Sequence, residues 1–409
     1  MEPNANTDSD LTVTESDLPN GWSWMPLGLV ADNLDSKRKP INAAEREKRQ
    51  GNVPYYGATG QVGWIDKHLI DEEVVLVGED GAPFLDPVRA KAYMISGKSW
   101  VNNHAHVLRA KGGMPNAYLM HFLNILDYSP YVTGTTRLKL TKGAMSNIPV
   151  PVAPLPEQRR IVEAIERQLG RLEAGVARLQ AAKARLKRYK QAVLKAAVEG
   201  RLTDPDLSEG ELPKGWKVVP VEEVGQIVTG STPSKGIADY YGTDHPFYKP
   251  TDLAAGYETS ESIDGLTEAG LKEARELPAK SILVTCIGAT IGKTGLIRVA
   301  GACNQQINAI VPNDSLVPEY GYFQCISPFF QQQIKDNASA TTLPLLNKNR
   351  FKVLDFILPP KTDQLQIVKA VEDRLQKTDE LDSTLDAQLL QAGRLRQAVL
   401  KRAFEGRLV

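Results

Sequence analysis

The segment QAVLKAAVEGRL at residues 191–202 returns as QAVLKRAFEGRL at residues 397–408, with ten of twelve positions identical at a constant offset of 206. A match of that length marks a duplication, so the chain reads as two half-proteins carrying the same elements in the same order. Each copy closes a long, charged, heptad-patterned stretch that follows a mixed α/β region. The entrances repeat too: Leu18-Pro19-Asn20-Gly21-Trp22 is matched by Leu212-Pro213-Lys214-Gly215-Trp216. The order is globule, helix, globule, helix.

On this pattern the chain divides into an acidic, aperiodic leader (1–17) expected to be disordered, a first globule (18–155), a central helix (156–202), a linker (203–211), a second globule (212–358) and a C-terminal helix (359–409). Lysine plus arginine and aspartate plus glutamate each number 49, so any nucleic-acid surface has to be a local patch. Cys286, Cys303 and Cys325 form no C-x-x-C pair, which suits a reducing cytoplasm. No run approaches the ~20 apolar residues that span a bilayer, so no membrane role is expected.

Strands are expected at 74–77, 92–95 and 107–108 in the first globule, and a helix at 115–126. In the second, strands are expected at 226–229, 281–285, 295–299 and 307–311, with one helix over 319–335. The prolines at 149, 151, 154 and 156 end the first globule and open the long helix. Its heptads place Val162, Leu169, Val176, Lys183, Lys190 and Ala197 at one core position, and Ile165, Leu172, Leu179, Leu186 and Val193 at the other. A rod of about 45 residues is roughly 65 Å long and needs a partner helix. Its own repeat supplies one, with Val368, Val371, Leu375, Leu385, Leu389 and Val399 on the matching stripe. Lys183, Arg185, Lys187, Arg188 and Lys190 make one helix basic where Asp379, Glu380, Asp382 and Asp386 make the other acidic. Only antiparallel pairing sets these runs side by side. The expected fold class is α+β: two α/β domains separated by two long helices forming an antiparallel coiled coil, a pseudo-twofold tandem repeat.

Catalytic motifs fail on their details. Gly288-Ala289-Thr290-Ile291-Gly292-Lys293-Thr294 has three residues between its glycines where a P-loop needs four, and a strand pattern follows it. Asn52-Val53-Pro54-Tyr55 resembles the Asn-Pro-Pro-Tyr loop of amino-methyltransferases, but no glycine-rich turn for S-adenosylmethionine lies upstream. His104 and His106 read as strand histidines at a polar surface, without cysteine or acidic ligands at metal spacing. No nucleophile with its base is evident. The polar residues suit reading instead. Asn102, Asn103, Asn304, Gln305 and Gln306 carry amides that can pair with adenine, and lysines can address guanine or phosphate. Thr135, Thr136 and Lys142 recur as Thr341, Thr342 and Lys348 ahead of the helices. Tyr56, Thr59, Lys249 and Lys293 complete the candidate DNA-binding set.

Over nearly its whole length the chain resembles the specificity subunit of type I restriction-modification systems. The resemblance is carried by the duplicated architecture, Tyr55-Tyr56-Gly57-Ala58-Thr59-Gly60, residues 288–293, Asn304-Gln305-Gln306 and the exit Pro154-Leu155-Pro156-Glu157-Gln158. The second exit, Pro359-Pro360-Lys361-Thr362-Asp363-Gln364, departs from that wording. The resemblance implies two target recognition domains that each read one half of a bipartite, asymmetric site in double-stranded DNA. It further implies a non-catalytic, cytoplasmic phage-defence protein that recruits two methyltransferase subunits and restriction subunits. S-adenosylmethionine, ATP and Mg would belong to those partners, none to this chain. A protein-binding scaffold and an NTP-dependent enzyme built on Lys293 are the competing readings.

Overall fold

The structure, a computed structural model, describes residues 18–208, 210–339 and 343–408. The expected leader and the candidates Thr341 and Thr342 lie outside the described residues.

Despite their divergent sequences, the globules are built to one plan. In the first, Val74–Gly78 is flanked by Ala105–Ala110 and Ala92–Ile95, and Ala31–Asn33 closes an antiparallel four-stranded sheet. VVLVG is a continuous apolar run, as a strand covered on both faces requires. Val75 and Val77 pack with Tyr118, Leu119 and Phe122 of the helix Asn116–Ile125. Val74 and Leu76 face the other way, onto Ile70 and Val101 of a second sheet. In that sheet Val53–Gly57 lies antiparallel to Gly60–Ile65 and parallel to Lys98–Val101.

The second globule repeats these layers. Ile282–Thr285 sits between Ile307–Pro312 and Thr294–Leu296, with Gly225–Thr229 at the edge. Tyr241–Tyr248 runs antiparallel to Asp264–Leu266 and parallel to Gly301–Cys303. In each globule a two-stranded ribbon joins entrance to exit: Ser23–Pro26 with Pro149–Val152, and Lys217–Pro220 with Asp355–Leu358.

Two expectations change. The helix over 319–335 is two helices, Pro318–Ile326 and Pro328–Asn337. Pro328 lacks the N–H that would continue the first, and the Ser327 hydroxyl caps the second by accepting from Phe330 N. The strand over 295–299 is shorter, Thr294–Leu296, because beyond it Ile297 pairs with Thr259 in an isolated bridge. Val53–Gly57, which contains the Val53-Pro54-Tyr55 of the rejected methyltransferase-like motif, is a strand committed to the sheet.

The long helices run over Leu155–Val198 and Lys361–Phe404. Both end in the same way: Gly200 (φ +81°) and Gly406 (φ +67°) take the left-handed conformation that favours glycine, in close contact with Pro213 and Pro19. The departed wording of the second exit leaves the function of its glutamine intact. Gln158 Nε2 donates to Ala153 O at 2.7 Å, and Gln364 Nε2 to Pro359 O at 2.9 Å.

The chain forms two compact units, residues 1–180 with 385–409 and residues 181–384. In the first, Ile161, Val162, Ile165 and Leu169 share a core with Val399, Leu400, Ala403 and Phe404. In the second, Val193, Leu194 and Ala197 meet Ile367, Val368 and Val371. Pairing is antiparallel in both. Of the seam, Ile165, Val193, Val371 and Val399 are buried, while Leu172, Leu179, Leu186, Leu375, Leu385 and Leu389 are half-buried. The seam lysines meet the acidic run: Lys183 lies 3.5 Å from Asp382 and Lys190 lies 2.5 Å from Asp379. Such partly exposed pairs orient helices more than they stabilise them. Lys190→Glu is accordingly expected to cost less than about 1 kcal/mol, with partial recovery on adding Asp379→Lys. A double-mutant cycle in urea measures the coupling.

Candidate nucleic-acid interface

In the first globule four loops, at 57–60, 78–82, 102–104 and 134–140, converge beyond the ends of the two sheets. Asn102 N donates to Tyr56 O at 3.0 Å, Glu79 N to His104 O at 2.7 Å, and Leu140 N to Glu79 O at 2.7 Å. The Tyr93 hydroxyl, its pKa pushed up by burial, donates to Gly57 O at 2.5 Å. The three backbone bonds close sequence separations of 25 to 61 residues, which strand register brings together.

The second globule builds the same lattice. Asn304 N donates to Tyr248 O at 3.1 Å, Cys286 N to Gln306 O at 2.7 Å, and Leu346 N to Cys286 O at 2.8 Å. Isolated bridges pair Asp80 with Lys139 and Ile287 with Leu345. These bonds equate Tyr56 with Tyr248, Asn102 with Asn304, Asp80 with Ile287, His104 with Gln306, and Leu140 with Leu346.

The sequence-derived candidates fall into distinct places on this lattice. Asn102 and Asn304 are buried, and their Oδ1 atoms accept from His104 N (2.8 Å) and Gln306 N (3.1 Å). Both amides thus fix the turns, and it is their neighbours Asn103 and Gln305 that are exposed. Gln305 Oε1 accepts from Thr232 Oγ1 at 2.5 Å. Thr59, Thr135 and Thr136 are exposed on the converging loops, and Tyr56 is half-buried against Tyr93. Lys142 and Lys348 open equivalent short helices, Lys142–Ser146 and Lys348–Phe351, capped by Thr141 and Asn347. Lys249 follows Tyr248 and pairs with Asp264. Lys293 Nζ donates to Thr251 O at 3.1 Å in the glycine loop joining two antiparallel strands, so no helix N-terminus stands there to hold a nucleotide phosphate.

Sequence reasoning missed Arg137. Its side chain is 61% exposed and its guanidinium lies 2.5 Å from Asp80, whose Oδ1 is also 2.8 Å from His104 Nδ1. Proximity to Thr135 and Thr136 was the only available signal.

His106 departs from the surface reading: it is 1% exposed, with Nδ1 2.7 Å from Asp35 and Nε2 2.9 Å from Leu140 O. Asp35, Glu79 and His106 bring three possible ligand atoms within 4.8 Å of one another. Positive charge already fills that place, because Arg38 reaches Glu79 at 2.5 Å and Asp35 at 3.2 Å, and Lys139 reaches Glu79 at 3.1 Å. The cluster is an ion-pair network beneath the loops.

Comparison with known proteins bears on the whole chain. The family described as "Type I restriction modification DNA specificity domain" matches residues 19–180 and again 213–391. The type I restriction enzyme EcoDI specificity subunit of Escherichia coli is 24% identical over 96% of this chain and 89% of its own length. The HindI specificity subunit of Haemophilus influenzae is 33% identical over 48% of this chain and 42% of its own. In fold, a solved chain reported under "complex assembly and conformational transition of the type I R-M system" aligns over 95% of this chain and 99% of its own, with TM-score 0.64 and 20% identity. With the family matching both repeats and the same two-sheet lattice built in each, the chain belongs to the DNA specificity subunits of type I restriction-modification systems.

Proposed function

We propose that residues 18–155 and 212–358 each read one half of a bipartite, asymmetric DNA site, and that the chain recruits two methyltransferase subunits and restriction subunits to it. One observation carries this reading: the same loop lattice is built twice and furnished with different side chains, as two readers of unlike half-sites require. The long helices act as the spacer, their length setting the unread gap, as rigid spacing does in dimeric DNA readers. S-adenosylmethionine, ATP and Mg are assigned to the partner subunits. The setting for this work is the cytoplasm.

Co-expression of this chain with its methyltransferase partner, followed by genome-wide mapping of N6-methyladenine, tests the proposal. One split motif is expected, absent when only this chain is omitted. A methylation pattern indifferent to the chain would point to a scaffold instead. Purified complex is further expected to bind duplex DNA with an affinity that falls steeply with salt, as phosphate contacts dictate.

A further inference from the structure

The two lattices allow the reading surfaces to be compared position by position. In the first globule Asp80, His104 and Arg137 form a hydrogen-bonded polar trio. The bonds that equate the loops put Ile287 and Gln306 in the same places of the second, and counting back three residues from the equivalent Leu140 and Leu346 sets Leu343 against Arg137. Both trios stand over an equivalent glycine. A Cβ added at Gly81 would lie 3.6 Å from Arg137 Nε, and one at Gly288 would lie 3.8 Å from Leu343 Cδ1 and from Gln306 Nε2. The second trio has the Gln306 amide in place of the His104 ring and apolar groups in place of Asp80 and Arg137, and Leu343 is 58% exposed.

We propose that position 137 and its equivalent 343 are specificity-determining, with Arg137 reading a guanine in the first half-site and Leu343 contacting a base without guanine's acceptors, such as the methyl edge of thymine, in the second. The proposal rests on the half-site reading above. Three features favour a base edge over a phosphate for Arg137. Its charge is offset by Asp80, which weakens it as a phosphate neutraliser. Asp80 engages only Nη2, leaving Nε and Nη1 without partners among the described residues. One hydrogen of Nη2 is used, so one edge of the guanidinium still offers two parallel N–H donors, the second Nη2 hydrogen with either Nε or Nη1, that can address guanine O6 and N7. Asp80, braced by His104, fixes the guanidinium plane before DNA arrives, which is what a two-pronged contact needs. Asp80 is therefore a positioning residue.

The test is methylation mapping with Arg137→Ala, Arg137→Lys, Asp80→Asn and Leu343→Ala, each co-expressed with the methyltransferase partner. Arg137→Ala and Arg137→Lys are expected to relax one guanine of one half-site, with about tenfold to a hundredfold loss of preference there and the other half-site unchanged. Asp80→Asn relaxes the same position to a smaller degree, and Leu343→Ala relaxes one position of the other half-site only. The intact half-site reports that each variant is folded. Two results overturn the proposal: an unchanged motif in Arg137→Ala, or a uniform loss of methylation that Arg137→Lys restores, which is the behaviour of a phosphate contact. If the unaltered chain itself yields no split motif, the half-site reading falls and this inference with it.

Discussion

Phe404→Ala is expected to destabilise the first unit by about 3–5 kcal/mol, the usual cost of emptying a large aromatic site in a packed core. Phe404 belongs to the C-terminal end of the second long helix and is fully buried. Its ring stands edge-on to Tyr118 at 5.0 Å and to Phe122 at 5.6 Å, both from the helix that covers the first globule's sheet. Alanine would remove both aromatic contacts and leave a void between helices that the backbone cannot close. The repeat position, Val198, is also fully buried, so Val198→Ala deletes fewer atoms and costs less. Hydrogen exchange resolved by segment, with guanidinium unfolding, checks both. Protection in Asn116–Ile125 falls in Phe404→Ala, while Pro318–Ile326 of the second unit keeps its protection. A loss below about 1 kcal/mol would mean that the end of the chain is not part of that core.

Asp35→Ala is expected to cost a similar amount, about 3–5 kcal/mol, because it breaks a buried ionic network from one side. The carboxylate accepts from His106 and from Val107 N at 2.9 Å, and lies 3.2 Å from Arg38. Without it the His106 ring loses the partner of its Nδ1, and with it the hold on Leu140 at the base of the 134–140 loop. Burial alone would raise the pKa of this carboxyl, but the hydrogen bonds from His106 and Val107 outweigh it and hold the value below the ordinary one. A lowered folded value means that the stability is complete above the unfolded carboxylate pKa of about 3.9 and is lost as pH falls through the folded value. The gap between the parent and Asp35→Ala should therefore be constant from neutral pH to about pH 5 and shrink below pH 4. Urea midpoints across that range measure it, and a gap independent of pH would assign the cost to packing.

Both variants act through contacts that differ in how legible they were. The Phe404 site was half visible: the repeat marks the helix end as shared, and Val198 and Phe404 are one of its two mismatches. What the sequence could not show is that this end packs on the helix Asn116–Ile125, nearly 300 residues earlier. The Asp35 network was invisible. His106 read as a surface histidine because its partners come from a 3₁₀ turn at Asp35–Lys37 and a loop at 140, and no local pattern joins them.

The sequence by itself determined the duplication, the two long helices, their seam and their antiparallel sense. These follow from periodicity and from charges at neighbouring turns, which are local properties of an extended rod. Even the seam lysines were placed with their acidic partners. The tertiary structure alone decided which residues share the loop surface beyond the ends of the sheets. The offset between equivalent positions is 192 at Tyr56 and Tyr248, 202 at Asn102 and Asn304, and 206 at Leu140 and Leu346. Insertions in the loops therefore erase the repeat where the globules differ. Only the hydrogen-bond register of the sheets, including the parallel pairing of Val53–Gly57 with Lys98–Val101 and of Tyr241–Tyr248 with Gly301–Cys303, brings Asp80 to Arg137 and Ile287 to Leu345. A strand's neighbours are chosen by packing across the chain, and that choice leaves no periodic trace in the residues that flank it.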